Sequence, residues 1–550
     1  MNLPVQLGLA DNILIALALI GLYSIILRPL QNSETWKRRG ITAGGFQGFP
    51  LFLFMRTQRG LSLLDRLSRP RRFWRAVASA GVPMVVLSMC YFLLLVLLMT
   101  YIMIREPPQP SSYNAPRNIL LIPGLNEYIP FVWGWIALFV TMVVHEFAHG
   151  ILSRVEGVRV KSMGIVTFMI APIAAFVEPD EEELFGGRDR PPLVSKGARI
   201  RILSAGVISN FVVAAVAMAL FFGPVLGSID PVERVVVVDV AEGSPAEWAG
   251  FESGMVVLQV DGRDVGSLQQ LVSDQSGPDA DIQILHDGRE QVLRLTGEPE
   301  QGILVASVFE GSPAERSGLP AKSVITKIDG MKTPDLKSFR ERMNSTRPGQ
   351  AITITTSLGD EYRVNLTSKE SIGEYDADGG AGFIGIGISG DALYWGGAIF
   401  QEPSARQFLQ VLKEIPSRGL AGFHLLLSLP FSGITGFAEK GFPGFSGWLT
   451  AVFEPTGWAE PLGSRFFWIA NLLLWIGWIN LYAGLFNCLP SGPLDGGHIF
   501  RDLLQVGFER VVAPAEAERL SRTAAALFTW LVLTSLLITL IAPFTNWFSI

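Results

Sequence analysis

The chain has 550 residues, of which 49% are hydrophobic and 17% charged, and a formal net charge of −6; its mean hydropathy is +0.36. This balance excludes an ordinary soluble protein and predicts several membrane spans with soluble inserts, and the acidic sign argues against nucleic acid as a partner. Two cysteines, Cys90 and Cys488, exclude a disulfide framework, and neither has a metal-site spacing.

The first apolar segment, about Asn12 to Leu27, lacks a basic leading region and a small-residue cleavage site, so it reads as a retained span. An arginine-rich stretch from Arg28 to Arg75 follows, opposed only by Glu34 and Asp65. By the positive-inside rule this loop is cytoplasmic and the N-terminus lies outside. Its apolar patch FPLFLF, Phe49–Phe54, is too short to cross and is assigned to the interface. The second span, Val82 to Ile104, leads outside to a proline-rich loop.

The third span, about Phe131 to Arg154, carries His145-Glu146-Phe147-Ala148-His149-Gly150. Two histidines four apart share one face of a helix and can hold one metal ion. A glutamate beside the first of them is placed to take a proton from an attacking water. The run from Phe131 to Val144 has no charged residue. It covers roughly 21 Å of a core of about 30 Å, which puts the histidines in the cytoplasmic third of the membrane. Polar groups at that depth are costly and mark function.

Lys161 to Val177 is apolar but broken by Gly164 and Pro172, and it reads as a re-entrant or hairpin segment. Arg188, Arg190, Lys196, Arg199 and Arg201 again mark the cytoplasmic side. The fourth span, about Ile202 to Val225, leaves it, with Gly206 and Asn210 four apart in its first turns.

Residues 232 to 369 contain an internal duplication. EGSPAEWAG at Glu242 recurs as EGSPAERSG at Glu310, and Val260-Asp261-Gly262 recurs as Ile328-Asp329-Gly330; both offsets are 68 residues. Each copy reads strand, short helix, strand, DG turn, helix, strand pair. Ser244 and Ser312 are N-caps, with Glu247 and Glu315 placed for capping boxes. Four crossings put these domains outside.

From Ser371 to Ser464 the chain is rich in glycine, proline and aromatic residues. The glycines Gly385, Gly387 and Gly390 match a dinucleotide fingerprint by letter, but no strand-helix-strand unit follows, so that reading is rejected. Leu420 to Phe431 is short and ended by Pro430, hence interfacial, and His424 there is a packing residue. The fifth span, Phe466 to Leu489, runs into Asn487-Cys-Leu-Pro490-Ser-Gly-Pro493-Leu-Asp495-Gly496-Gly497-His498. A last span, Thr523 to Ile541, leaves both termini outside.

Three polar groups therefore fall at one membrane depth: the histidine pair, Gly206 with Asn210, and Asn487 to Asp495. Zinc hydrolases use three protein ligands and keep a position for water. His145 and His149 supply two. Asp495 is the choice for the third, with His498, one helical turn on, as the competing candidate. Glu146 is the expected general base. Asn487 or Asn210 can donate to an oxyanion or hold substrate backbone, with Gly206 as a third substrate-site candidate; amide bonds between helices are the alternative role for both asparagines.

HEFAHG, AGVISN, NCLPSGPLDGGH and the duplicated insert together resemble the site-2 protease family of intramembrane zinc metalloproteases, and GIVTFMIAPIAAFVEPDEEEL resembles its archaeal members most. The duplicated insert resembles the PDZ domains attached to such proteases, which bind extended peptides or chain termini by strand addition. The resemblance implies a polytopic α-helical membrane protein of about six spans with two inserted α+β PDZ-like domains. It also implies one zinc ion on His145, His149 and Asp495, with Glu146 as base and cleavage of single-span membrane substrates. The hairpin around Gly164–Val177 is then expected to pair with unwound substrate. The expected segments are the N-terminal spans and basic loop (1–127), the first part of the catalytic membrane core (128–228) and two PDZ-like domains (229–300 and 301–372). An extracytoplasmic or interfacial segment (373–463), the second part of the core (464–505) and a cytoplasmic loop with the last span (506–550) complete the chain. The readings that compete with a protease are a silent membrane scaffold using the PDZ pair, disfavoured by an intact Glu146, and a metal transporter. Against a transporter, no second set of polar residues continues toward the outer face.

Overall fold

Long apolar runs fold as helices that satisfy their own backbone, the condition for crossing a bilayer. In the computed structural model, residues 9–547 are described apart from 47–48, 59, 109, 112–113, 120, 169–170, 188–190, 274–277, 287, 369–379 and 432–440. Arg188 and Arg190 of the predicted basic group lie outside the described residues. Five helices among the described residues are long and apolar enough to cross a membrane: Arg71–Arg105, Phe131–Glu156, Lys196–Val225, Arg465–Asn487 and Pro514–Phe544. The predicted first span falls on a helix, Leu9–Asn32, most of whose leading side chains lie outside the described residues.

The chain divides into two units. One comprises Met1–Leu220 and Leu472–Ile550, the other Phe221–Asn471. In the first unit, the histidine helix Phe131–Glu156 is stopped by Gly157 in the left-handed conformation, φ +91°. It packs on the glycine helix Lys196–Leu220. Ile151, Val155, Ala198, Ile202 and Ala205 are buried together along that contact. The aspartate helix Asp495–Phe508 also packs on the glycine helix.

Beside these helices lies an antiparallel sheet in the order β1-β2-β3-β4: β1 Ile41–Phe46, β2 Phe49–Thr57, β3 Val160–Phe168 and β4 Ala171–Pro179. The predicted hairpin is thus the pair β3–β4. Gly164 sits where a Cβ would come 2.2 Å from the Met55 carbonyl oxygen, so only glycine lets β2 approach β3. The FPLFLF patch, too short to cross, is strand: it opens β2, which pairs with β3 from Leu53↔Thr167 to Thr57↔Met163. Its two apolar faces give no alternation to read, and of its two partner strands, β1 precedes it directly while β3 lies far along the chain.

The second unit holds a twelve-stranded sheet. Its main strands are β5 Val235–Val240, β6 Val256–Val260, β7 Asp279–His286, β8 Arg289–Thr296, β9 Glu300–Val308, β10 Val324–Ile328, β11 Ala351–Thr356, β12 Glu361–Asn365, β13 Ile386–Trp395 and β14 Ala398–Gln401. They run in the order β8-β7-β6-β5-β14-β13-β9-β10-β11-β12. Each sequence copy forms the expected elements, and Ser244 and Ser312 cap their helices by accepting from the N–H of Glu247 and Glu315. The glutamates reach back one residue further than a capping box requires, to the N–H of Gly243 and Gly311.

The strands β13 and β14 come from the 373–463 segment, expected to be separate, and they join both copies. β14 pairs with β5 and β13 with β9. Phe400 and Trp395 are buried in the first copy's core, Ile384 in the second's. Gly397 and Gly385, both at positive φ, lie against the two capping serines; an added Cβ would meet Ser244 Cβ at 2.1 Å and Ser312 Cβ at 2.2 Å. Backbone bonds repeat the match, Ala246 N–H to Gly396 O and Ala314 N–H to Ile384 O. The glycines of GIGISG thus include a close-approach turn. The helix Gly419–Ser428 has ten residues, about half the length needed to cross. His424 there turns its Nδ1 to the Leu420 carbonyl at 2.8 Å.

Candidate metal centre

On the histidine helix, the four-residue spacing stacks His145 and His149 on one face, with Nε2 atoms 3.1 Å apart. Asp495 is the first residue of the aspartate helix, where a carboxylate is favoured by the helix dipole. That helix starts abruptly because Gly496 and Gly497 press on the preceding turn. A Cβ would lie 2.4 Å from Cys488 O at the first and 2.2 Å from Ser491 O at the second. The turn brings Asp495 Oδ2 to 3.1 Å from His145 Nε2 and 3.2 Å from His149 Nε2. The three side chains are only 12%, 12% and 18% exposed.

Asp495 Oδ2 is buried and makes no hydrogen bond, although both rings are in contact range. Three donor atoms at these separations can all lie about 2 Å from one point, and two imidazoles with a carboxylate are a zinc donor set. The ring tautomers agree. His149 Nδ1 lies 2.8 Å from Ile202 O, so it donates there and leaves Nε2 free. His145 Nδ1 lies 3.1 Å from the Asn210 amide, whose Oδ1 is buried without a partner; rotating that amide by half a turn makes Oδ1 the acceptor for Nδ1–H. Gly206 closes the back of the site. A Cβ there would lie 2.5 Å from His145 Cε1 and from His149 Nε2, and 2.6 Å from His145 Nε2. The residues therefore fit a metal ion.

Glu146 turns to the sheet, and its Oε2 accepts the backbone N–H of Val177 at 2.9 Å. A cavity of about 760 Å³ opens over the three donors, lined also by Phe176, Asn487, Pro493 and His498. Among the described residues, the metal-holding group is His145, His149 and Asp495. His498, the rival for the third position, is not part of it. It packs against Phe185 instead, with ring centroids 5.2 Å apart and the planes tilted by 37°. Of the three residues expected to face substrate, Asn210 contacts His145 and Gly206 contacts both rings, while Asn487 lines the cavity. The contributions of Val177 and Ile202 were not legible, because each acts through its backbone and no side-chain pattern marks it.

A membrane protein that gathers two imidazoles, a carboxylate and an adjoining glutamate around one cavity has the construction of a metal-dependent hydrolase. The chain belongs to Peptidase family M50, the site-2 proteases, whose family model matches residues 133–532; members of this family are zinc-dependent. It is similar to the protease RseP of Yersinia pestis, 24% identical over 440 residues that cover 70% of this chain and 91% of that protein. A putative zinc metalloprotease of Neisseria meningitidis is 25% identical over 420 residues, 66% of this chain and 88% of the relative. An uncharacterised protein of Methanocaldococcus jannaschii is 28% identical over 289 residues, 51% of this chain and 71% of the relative.

Proposed function

We propose that this chain is an intramembrane endopeptidase that cuts single-span membrane proteins, with one zinc ion held by His145, His149 and Asp495 and with Glu146 as general base. The observation that carries this reading is the convergence of the three donor atoms, one of them an orphaned buried oxygen, beside a carboxylate on the same cavity. When bound, zinc supplies Lewis acidity to the water and to the scissile carbonyl. Glu146 takes the proton of the attacking water at a carboxylate oxygen and returns it to the leaving amine. Ile202 O and Asn210 hold the imidazoles in one tautomer. Asn487 donates from the cavity wall to substrate backbone or to the developing oxyanion.

The outer edge of β4 carries no further strand among the described residues. It supports the reading that substrate, unwound at the cut, adds there as a strand and so satisfies its freed backbone groups. The site is assigned to the cytoplasmic third of the bilayer by the arginine-rich loops near it, and both termini and the inserted domains to the outside.

The inserted domains are read as PDZ-like modules that select or gate substrates by their peptide ends. Burial supports giving this role to the second copy. In the first, Phe400 of β14 is fully buried and Ala392–Trp395 of β13 cover its edge. In the second, Ile386 and Ile388 are half-buried and Ile386–Gly390 pair with β9 alone among the described strands. The test of the protease reading is Glu146→Gln in the purified protein, with a single-span substrate in liposomes. Retained zinc without cleavage is expected, and cleavage at the parent rate would sink the proposal.

A further inference from the structure

The aspartate helix holds a second buried carboxylate. Asp502, seven residues after Asp495, is completely buried; Arg199, seven residues before Gly206 on the glycine helix, is 5% exposed. The two meet in a forked ion pair, Arg199 Nε to Asp502 Oδ2 at 2.5 Å and Nη2 to Oδ1 at 2.7 Å. Arg199 also donates from Nη1 to Leu184 O at 3.3 Å, and its guanidinium lies 5.7 Å from the Phe185 ring centre. Arg501 approaches the same carboxylate at 3.6 Å.

Seven residues are almost two helical turns, a rise of roughly 10.5 Å, so residues at this spacing share one stripe. Arg199 therefore stands below Gly206, and Asp502 stands at the matching distance from Asp495. Gly206 is the surface on which both imidazoles rest. A fork between guanidinium and carboxylate is directional in two dimensions. It fixes the slide of one helix along the other and the rotation of the aspartate helix about its axis. A one-residue slip would move Asp495 by about 1.5 Å and swing it by about 100°. Upstream, the aspartate helix is joined to the helix Arg465–Asn487 by a turn containing Pro490, Gly492 and Pro493. A buried ion pair seldom adds net stability over an apolar pair of the same volume, so stability alone gives poor grounds for placing one here.

We propose that Arg199 and Asp502 are a positioning pair, a register pin that sets Asp495 at the height of the two histidines. The inference rests on the reading of Asp495 as a metal ligand. The test uses full-length protein in detergent, with zinc affinity measured by competition against a chromogenic chelator and thermal unfolding measured alongside. Arg199→Met combined with Asp502→Leu removes the pin without leaving an orphan charge. The expected result is a melting temperature close to that of the parent, zinc affinity down ten- to a hundredfold, as for lost outer-shell partners of a metal site, and kcat reduced with KM little changed. Parent-like zinc affinity and kcat would overturn the proposal. Should the double variant fail to fold, Arg199→Lys decides, because it keeps the charge and loses the fork; undiminished zinc affinity there overturns the pin. Asp495→Ala separates the two readings. If it binds zinc like the parent, the assignment of Asp495 fails; if it loses zinc while the pin variants keep it, the pin alone fails.

Discussion

Val177 donates its backbone N–H to Glu146 Oε2 at 2.9 Å, so the edge strand β4 of the four-stranded sheet and the carboxylate beside the first histidine are joined directly. Val177 itself is buried. The contact engages Oε2 of a side chain that lines the cavity, and it ties that carboxylate to the strand on which substrate is proposed to lie. Glu146→Gln keeps an acceptor for Val177 and removes the base. The expected outcome is an unchanged melting temperature, unchanged zinc content and cleavage lowered by roughly 10²- to 10⁴-fold, the usual weight of a general base. A discontinuous cleavage assay with metal analysis of the same sample checks all three.

Gly206→Ala places a methyl group 2.5–2.6 Å from three imidazole atoms, two on His145 and one on His149. Those rings are tethered at Nδ1 by Asn210 and Ile202, so retreating from the methyl group would strain or break those contacts. Overpacking of this kind costs about 1–3 kcal/mol in a well-packed site. The larger effect is expected on the donors, which separate. Zinc affinity should fall at least tenfold, read by equilibrium dialysis, while helix content by circular dichroism stays at the parent level.

The third donor separates two residues on one helix. Asp495→Ala removes the orphaned oxygen between the rings, whereas His498→Ala removes a ring that packs against Phe185. The first variant is expected to lose stoichiometric zinc and the second to retain it. Stripping the parent protein with a chelator should lower its unfolding free energy, by about 2.7 kcal/mol if it had been held at a hundredfold excess of zinc over Kd. Added zinc should restore both stability and cleavage. Zinc retained by Asp495→Ala and lost by His498→Ala would reverse the assignment.

The parts of this protein legible in its sequence are those whose signal is local. His145, Glu146 and His149 are fixed by helical spacing, and the motif around Asp495 announces itself by breaking a helix with Pro490, Gly492 and Pro493. The preference for Asp495 over His498 follows from the glycines beside it, which allow the close turn seen at Cys488 and Ser491. What could not be read depends on pairing at long range. Phe49–Thr57 looks like a stray apolar patch until β3 is beside it. Ile386–Trp395 carries Gly387 and Gly390, which suggest a loop, and Ala398–Gln401 is only four residues long after the pair Gly396-Gly397. Their strand character comes from β9 and β5, supplied by the two copies far upstream. The register pin is equally silent, since Arg199 and Asp502 look like surface charges of a cytoplasmic loop until two helices bury them.

The two inserted domains differ in a way that hydrogen exchange can read. Phe400 is fully buried in the first, and its counterpart Ile388 in the second is only half-buried. Phe400→Ala should therefore cost about 3–5 kcal/mol of stability as a core truncation. Ile388→Ala removes a partly exposed side chain and should cost well under half of that. The backbone follows the same division. Ala392–Tyr394 are paired with both β9 and β14, whereas Ile386–Gly390 have a ladder partner on the β9 side alone among the described strands. Amides of 386–390 are expected to exchange faster than those of 392–395 in the full-length protein. A peptide that docks on this edge should slow them selectively, leaving 392–395 unchanged. Equal protection of both halves without ligand would mean that the second copy is closed as well, and peptide selection by the inserted domains would then have no free edge to use.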